Sequence, residues 1–240
     1  MARDIHPPSP LLLLGEAFSG LEFPRMLLRL PWLATAPRGH GEPVLVLPGY
    51  GASDTSTLLL QTYLRFLGYS VRGWGLGMNR GDVPRTMPRV LSLIEKMHDE
   101  SGERVHLVGW SLGGFIAREA ARENPELVRS VITLGSPVIG GPKYTAVARR
   151  YKARGFDLDA VEAEVDARYE RPLCVPITAI YSKFDGIVAW KACIDERSQG
   201  IEHIEVLTTH LGLGICADVY TIIADRLARA RDEAAACAAA

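Results

Sequence analysis

The sequence predicts a single α/β domain built on a mostly parallel, doubly wound sheet with helices on both faces. Short continuous apolar runs, typical of strands buried on both sides, alternate with longer segments in which apolar residues recur at helical spacing. Strands that alternate with helices in this way are joined by right-handed crossovers and lie parallel. The chain has 240 residues, 48% of them apolar, so it is long enough to bury the core that such a sheet requires.

Residues 1–43 are expected to form an N-terminal helical segment packed on the core. This segment contains a leucine-rich run at 11–14 and an apolar stretch at 26–33, and a Pro/Gly-rich break at 37–41 separates these from the first predicted strand. Two short helices before the sheet are the simplest interpretation. Their apolar residues are expected to cover the sheet or a pocket, and the alternative is a rim that faces lipid.

Residues 44–232 carry the alternating pattern of the main domain. The predicted strands are 44–47, 69–74, 105–110, 128–134, 177–182 and 203–207. Helical spacing separates the first four strands, and it returns in a last helix from 218 to about 231. Between 138 and 172 no strand pattern is present, and a helical insertion that forms a cap or lid over the strand ends is expected. The alanine-rich tail at 233–240 is expected to fray.

A Gly-x-Ser-x-Gly pattern joins the third predicted strand to the helix after it. Gly109, Ser111 and Gly113 form the pattern. A serine on a sharp strand-to-helix turn has strained backbone angles, and neighbouring glycines let the two arms of the turn pass each other. Because such a turn exposes the serine hydroxyl, Ser111 is the candidate nucleophile.

Asp185 and His210 are the candidate partners of this serine. A serine hydroxyl is a weak nucleophile at neutral pH, so it needs a histidine to take its proton and a carboxylate to orient that histidine. After a serine on such a turn, the acid and then the histidine are expected later in the chain at strand ends, and these two residues follow that order. Asp157 and Asp195 are weaker candidates, because neither directly follows a strand. Of the six histidines, His210 is the one that begins a loop directly after a strand.

Two backbone N–H groups are predicted to form an oxyanion hole. One belongs to Leu112, directly after the nucleophile, and the other to Tyr50, in the loop after the first strand. Gly49 and Gly51 flank Tyr50 and would let the backbone approach closely. These glycines are equally compatible with an ordinary strand-to-helix turn. Their combination with the serine turn favours the oxyanion hole.

Charge and cysteine content exclude several other classes of protein. The chain has 27 basic and 28 acidic residues and a net charge of −1. The protein therefore lacks the net positive charge that would attract nucleic acid. The four cysteines have no metal-binding spacing, and neither a metal nor a cofactor is expected. The apolar run near the N-terminus is too short for a spanning helix and poorly suited to a secretory signal, so a cytoplasmic protein is expected. A secreted protein whose leader has been removed would have the same features, and that alternative stays open.

Five segments together carry a family resemblance. They are 47–51, 109–114, 133–137, 184–188 and 209–213. In combination they resemble the α/β-hydrolase superfamily, and within it the bacterial lipases and esterases, over about residues 43–230. The resemblance implies an α/β-hydrolase fold with an eight-stranded type of sheet whose first strands are reduced here. It also implies a Ser-Asp-His triad and hydrolysis of carboxylic esters without metal or cofactor.

The resemblance leaves the substrate open. Many lipases have His-Gly in the oxyanion loop and a histidine after the Gly-x-Pro of the next strand, whereas this chain has Pro48-Gly49 and Val138. We expect an esterase or lipase that acts on a small-molecule or lipid ester with a short or medium acyl chain. Transient contact with a lipid interface is compatible with this expectation. A thioesterase or acyltransferase is the nearest chemical alternative, and a non-catalytic binding module with this fold is the alternative from another class. Dehalogenases and epoxide hydrolases are excluded, because they need a carboxylate at position 111.

Overall fold

The computed structural model describes residues 4–238, with side chains described as far as residue 233, so residues 1–3 of the N-terminal segment and 239–240 of the tail lie outside it. The strands are β1 (Pro43–Leu47), β2 (Ser70–Gly73), β3 (Val105–Trp110), β4 (Val128–Leu134), β5 (Ile177–Tyr181) and β6 (Ile201–Glu205). The α-helices are α1 (Pro10–Gly15), α2 (Glu22–Leu33), α3 (Leu58–Phe66), α4 (Val83–Ser101), α5 (Leu112–Glu123), α6 (Ala148–Ala153), α7 (Leu158–Ala167) and α8 (Ala217–Ala238).

The six strands form one parallel sheet in the order β2-β1-β3-β4-β5-β6, which confirms the predicted α/β class. The strand order reverses between β1 and β3, so the loops after these strands diverge and leave a crevice at the carboxyl edge of the sheet. Tyr50 and Ser111 lie in these two loops. The family resemblance implied eight strands. The described part of the chain has six, because the residues before β1 are helical or irregular rather than paired in the sheet.

Alternate residues of the central strands enter two separate cores. Val44 and Val46 of β1 pack in the core that also contains side chains of α2, α3 and α8. Leu45 and Leu47 pack on the opposite face, with side chains of α4 and α5. Both faces of each central strand therefore bury apolar side chains, each contributing roughly 1.5–3 kcal/mol. This explains why the strands read as continuous apolar runs rather than as alternating ones.

Most apolar residues of the N-terminal segment are exposed, whereas the sequence predicts that they cover the sheet or a pocket. Met26 and Leu33 of α2 are buried in the core. The carboxyl-bearing residues Glu16 and Glu22 are also buried. The exposed large apolar side chains are Leu11, Leu13, Leu14, Phe18, Leu21, Phe23, Leu27, Leu28, Leu30 and Trp32. The reason is geometric: a single helix presents one stripe to the sheet, and this segment is apolar on its other sides as well.

The segment between β4 and β5 contains helices α6 and α7, in the region where a helical insertion is expected. Several of its charges are paired rather than simply solvated. Nζ of Lys143 lies 2.5 Å from Oδ1 of Asp159 and 2.6 Å from Oε2 of Glu162. Arg168 donates to Glu119 of α5 at 3.2 Å. The segment is therefore attached to the helix that begins directly after Ser111.

Helix α8 extends further towards the C-terminus than the sequence predicts, and fraying of residues 233–240 stays a prediction. It continues to Ala238, beyond the predicted end near Arg231. Alanine has the highest intrinsic helix propensity of all residues, and neither glycine nor proline interrupts this stretch. The alanine-rich composition therefore prolongs the helix through the described part of the tail.

Candidate active site

Ser111 lies on the turn between β3 and α5, with φ of 54° and ψ of −122°. It is the one non-glycine residue with positive φ in the described part of the chain. A backbone conformation of this kind costs of order 1–3 kcal/mol and persists only when the surroundings hold it. Here the N–H of Ser111 donates to the carbonyl of Leu134 at 2.7 Å, and its own carbonyl accepts the N–H of Gly114 at 3.0 Å. The strained turn is therefore hydrogen-bonded on both sides.

The glycines around Ser111 allow a close approach of backbone segments. A Cβ on Gly113 would lie 2.3 Å from the carbonyl oxygen of Leu47, and a Cβ on Gly109 would lie 2.4 Å from the carbonyl oxygen of Gly113. Both neighbours are backbone atoms, so no side-chain rotation could relieve the contact. A Cβ on Gly49 would lie 3.1 Å from Cβ of Ser111. The absence of side chains at these positions lets the loop after β1 contact the serine turn.

Asp185 and His210 are brought together by the loops that come after β5 and β6. Oδ2 of Asp185 lies 2.6 Å from Nδ1 of His210, and both side chains are buried. The other carboxylate oxygen, Oδ1, accepts the N–H groups of Ile187 at 2.9 Å and Val188 at 2.6 Å, which fixes its orientation. Because Nδ1 faces the carboxylate, Nε2 is the ring nitrogen left for other partners.

Ser111 and His210 line one cavity, but within the described residues no hydrogen bond joins the serine hydroxyl to the imidazole. Catalytic hydrogen bonds of this type often tighten only when substrate binds. The structure thus places the serine and the Asp185–His210 pair around the same space, at the carboxyl edge of the sheet.

The surroundings of the imidazole raise the pKa of His210. Burial by itself opposes protonation, but the Asp185 carboxylate, its hydrogen bond to the ring and the charge of Glu16 outweigh it. The pKa of His210 therefore lies above its ordinary value of about 6.5. A more basic imidazole is a stronger proton acceptor, and the adjacent carboxylate stabilises the imidazolium that forms when it accepts a proton.

Asp157 and Asp195, the weaker candidates for the acid, have structural partners and do not line the cavity. Asp157 caps α7, where its Oδ1 accepts the N–H groups of residues 159 and 160 at 2.9 Å and 3.2 Å. Asp195 forms a buried ion pair with Arg118 of α5. Burial alone would raise the pKa of Asp195, but the Arg118 guanidinium holds this pKa below its usual range.

Tyr50 and Leu112 line the same cavity as Ser111. Helix α5 begins at Leu112, so its N–H is one of the N-terminal amides that have no acceptor within a helix. The N–H of Tyr50 makes no hydrogen bond within the described residues, whereas that of Gly51 donates to the carbonyl of Asn79 at 2.7 Å. Two backbone amides at the cavity of Ser111, neither with an acceptor among the described residues, are the groups that an oxyanion hole needs.

Two residues of the site, Asn79 and Glu16, are absent from the sequence-based prediction. The side-chain amide of Asn79 donates to the carbonyl of Pro48 at 2.9 Å and so supports the loop after β1. Oε1 of Glu16 accepts the N–H of His210 at 2.9 Å. Neither residue has a local signal, because an asparagine in a glycine-rich loop and a glutamate after a leucine run are ordinary surface residues in sequence.

The cavity beside Ser111 has a volume of about 540 Å³ and mostly apolar walls. Its apolar lining includes Val83, Pro84, Leu112, Phe115, Pro137, Val147, Phe156, Val161, Val165, Ile187, Val188 and Leu211. Three charged residues of the segment between β4 and β5, Arg150, Glu164 and Arg168, also line it. Apolar walls with a few convergent polar groups are typical of pockets that bind an apolar small molecule by its polar end.

Metal ligands are absent from the part of the chain that the structure describes: no group of three or more His, Cys, Asp or Glu side chains could hold a metal ion there. The cysteines with described side chains, Cys174, Cys193 and Cys216, are free thiols. Within the same residues, no helix combines the length and the apolarity needed to cross a membrane.

Comparison with curated proteins finds distant relatives that are esterases. A pimeloyl-[acyl-carrier protein] methyl ester esterase of Aeromonas hydrophila subsp. hydrophila is 30% identical over 102 residues, which are 41% of this chain and 39% of that protein. The chain therefore matches about two fifths of the length of this relative.

Solved structures of lipolytic enzymes share the fold. The structure reported for the metagenome-derived lipolytic enzymes LipS and LipT has a TM-score of 0.61 at 18% identity, over 82% of this chain and 96% of the other. The monoacylglycerol lipase of Paleococcus ferrophilus has a TM-score of 0.60 at 17% identity, over 79% and 96%. These neighbours and the model of the alpha/beta hydrolase family, which matches residues 44–239, confirm the resemblance seen in the sequence. Because the matched residues include all six strands except Pro43 and the loops that carry Ser111, Asp185 and His210, the chain belongs to the alpha/beta hydrolase family.

Proposed function

We propose that this protein hydrolyses carboxylic esters through an acyl-enzyme formed on Ser111. In the first step, Nε2 of His210 takes the proton of the Ser111 hydroxyl, and the oxygen attacks the ester carbonyl carbon. The resulting oxyanion accepts hydrogen bonds from the N–H groups of Tyr50 and Leu112. His210 then gives its proton to the departing alkoxide as the bond to the leaving oxygen breaks. Asp185 keeps the ring oriented and stabilises its charged form.

The second half of the reaction releases the acid. A water molecule gives a proton to His210 and attacks the acyl carbon. The new tetrahedral intermediate then collapses, the bond to the Ser111 oxygen breaks, and His210 returns the proton to that oxygen. The same three groups serve both halves, so neither half needs a metal or a redox partner.

The observation that supports this proposal best is the combination of two independent features at one cavity. One is the strained backbone of Ser111, and the other is the buried hydrogen bond of 2.6 Å between Asp185 and His210. Backbone strain of this kind is characteristic of functional positions, and a carboxylate on Nδ1 is the arrangement that prepares Nε2 to accept a proton.

The apolar cavity supports an acyl chain of short to medium length as the group that is bound. Its walls surround Ser111 on the side of the segment between β4 and β5, where an acyl chain could be removed from water. We further propose that the exposed apolar side chains of α1 and α2 contact a lipid interface transiently. Leu211 lines the cavity and is 43% exposed, so it borders both the cavity and the solvent.

The nearest alternative is a thioesterase or acyltransferase that uses the same acyl-enzyme. The esterase relative is named for an acyl chain carried on acyl-carrier protein, which makes a carrier-linked substrate worth testing. Relative rates on oxygen esters and on acyl-CoA of equal chain length separate the two chemistries. A marked preference for acyl-CoA would favour thioester cleavage, and acyl transfer to added alcohols at the expense of hydrolysis would favour an acyltransferase.

The proposal is tested with p-nitrophenyl esters of graded chain length and with a fluorophosphonate probe. Wild type should hydrolyse the esters and be labelled by the probe, whereas Ser111→Ala should lose both properties. Ser56→Ala, at an exposed serine outside the cavity, serves as the matched control and should behave as wild type. Hydrolysis that survives Ser111→Ala at the wild-type rate would refute the nucleophile. A folded wild type that is neither labelled nor active would favour a non-catalytic binding module.

A further inference from the structure

Glu16 is a buried carboxylate that reaches the site from outside the part of the chain matched by the family model. It begins the 3-10 turn between α1 and α2, and the family match starts at residue 44. Only 6% of its surface is exposed. A carboxylate is rarely buried unless its oxygens are hydrogen-bonded or paired with a cation, so the partners of this one indicate what it does.

Three backbone N–H groups converge on the two oxygens of Glu16. Oε1 accepts from Gly186 at 2.8 Å and from His210 at 2.9 Å, and Oε2 accepts from Leu211 at 2.8 Å. Gly186 directly follows Asp185, so one carboxylate joins the loop of the acid to the loop of the histidine. The contact is close, since a Cβ on Gly186 would lie 2.3 Å from the carbonyl oxygen of Leu12 in α1.

The position of Glu16 also gives it an electrostatic role. Among the residues that the structure describes, the charged groups that act on the His210 ring are Asp185, from the loop after β5, and Glu16, from the N-terminal segment. The ring of Trp110, at the end of β3, also packs beside His210 and is uncharged. Near Asp185, burial raises the pKa of the Cys193 thiol, so this group is neutral at ordinary pH. The charge of Glu16 therefore adds to that of Asp185 in favouring the imidazolium.

We propose that Glu16 is a positioning residue that holds the loops of Asp185 and His210 together at the cavity, with its carboxylate on the backbone N–H groups of both loops. The proposal rests on the proposed function, in which His210 becomes protonated during the attack by Ser111. It assigns the N-terminal segment a part in the active site, although this segment lies outside the family match.

Glu22 provides a matched control for the loss of a buried carboxylate in the same segment. Its Oε1 accepts from the side chain of Thr208 at 2.9 Å and pairs with Arg25 at 3.2 Å. Thr208 lies in the loop after β6, but within the part of the chain that the structure describes the Glu22 carboxylate accepts from a side chain there and from no backbone N–H of the two loops that Glu16 joins. Glu22→Gln and Glu16→Gln change the charge and volume equally, but only the second places an NH₂ group against a backbone N–H of the site.

The test combines an NMR titration of the His210 ring with steady-state kinetics on a p-nitrophenyl ester. Glu16→Gln should lower the pKa of His210, because it removes a nearby negative charge. It should reduce kcat by about tenfold to a hundredfold with KM little changed, since the misplaced histidine acts in the chemical step. Glu22→Gln should leave the His210 titration and the acid limb of the rate profile as in wild type. A wild-type His210 titration and kcat in Glu16→Gln, or equal effects of both variants, would overturn the proposal.

Glu16→Asp covers the case in which Glu16→Gln does not fold. The aspartate keeps the charge but is one methylene shorter. The pKa of His210 should therefore stay close to its wild-type value, while kcat should still fall. A wild-type kcat in this variant would overturn the positioning role. The titration needs no substrate, so it reports on Glu16 even if the ester chemistry is wrong. The Ser111→Ala comparison reports on that chemistry independently of Glu16.

Discussion

Nδ1 of His210 lies 2.6 Å from Oδ2 of Asp185, and 25 residues separate the two in the chain. The parallel order of β5 and β6 places both residues at the carboxyl edge of the sheet, where Ser111 also lies. The same carboxylate is held by the N–H groups of Ile187 and Val188. The orientation of the imidazole is therefore determined by the backbone of the loop after β5, through the Asp185 side chain.

Replacing Asp185 by asparagine should abolish most of the activity without unfolding the protein. The amide is nearly the same shape, but it carries no charge and can stabilise the wrong tautomer of His210, so kcat should fall by about 10⁴-fold. Ester hydrolysis measures the effect, and circular dichroism checks the fold. Asp99→Asn, at an exposed position of α4, is the control and should keep wild-type kcat. An Asp185→Asn enzyme within a few-fold of wild type would show that another group orients the histidine.

The rate should depend on pH through the protonation of His210. The imidazole must be neutral to accept the serine proton, so kcat/KM should rise with pH as His210 loses its proton. Because the carboxylates around it raise the pKa of His210, the midpoint of this acid limb should lie above the ordinary value of about 6.5. A profile from pH 4 to 9 on an uncharged ester measures it. A midpoint below 6.5 would contradict the electrostatic description of the site.

Gly113→Ala should destabilise the fold at the serine turn. The new Cβ would lie 2.3 Å from the carbonyl oxygen of Leu47, and the backbone of β1 would have to shift. Overpacking of this kind lowers the free energy of unfolding by about 1–3 kcal/mol. Urea denaturation measures the change. Gly15→Ala is the control: no atom lies within 4 Å of its Cβ position in α1, so it should be neutral or slightly stabilising. Equal stability of the two variants would mean that the turn relaxes freely.

Asp195→Asn should destabilise the protein strongly although it does not touch the cavity. It leaves the Arg118 guanidinium buried without its countercharge, and breaking such a pair lowers the free energy of unfolding by about 3–5 kcal/mol. Lys183→Met breaks the more exposed pair with Glu205 and should have a much smaller effect. Chemical denaturation of both variants makes the comparison. Similar small losses would mean that Arg118 finds water or a new partner.

The exposed apolar face of the N-terminal segment should govern binding to lipid vesicles. Replacing Leu14 and Phe18 together by serine removes side chains that are 71% and 66% exposed, so it should weaken co-sedimentation with phosphatidylcholine vesicles. Phe66→Ser removes a comparably exposed side chain from the end of α3 and is the control. Rates on a soluble short-chain ester should be similar in all three proteins. Unchanged vesicle binding in the double variant would locate the lipid contact elsewhere or exclude it.

The sequence by itself determined the fold class and the set of candidate residues, because both depend on local patterns. Apolar runs specify strands that are buried on both faces, and Gly-x-Ser-x-Gly between a strand and a helix specifies the strained turn that the structure contains at Ser111. Asp185 and His210 were identified from their order and from their places after strands. Each of these signals is contained in a short stretch of consecutive residues.

Only the tertiary structure decided which distant groups support these residues. Glu16 is 194 residues from His210 in sequence, and its hydrogen bond to the His210 amide depends on where the N-terminal segment packs. The hydrogen bond from the Asn79 side chain to the carbonyl of Pro48 likewise depends on how two loops pack together. The tertiary structure also decided that most leucines of the N-terminal segment are exposed while Glu16 and Glu22 are buried. Hydrophobic periodicity reports which residue types could be buried, but burial itself depends on the neighbours that folding supplies.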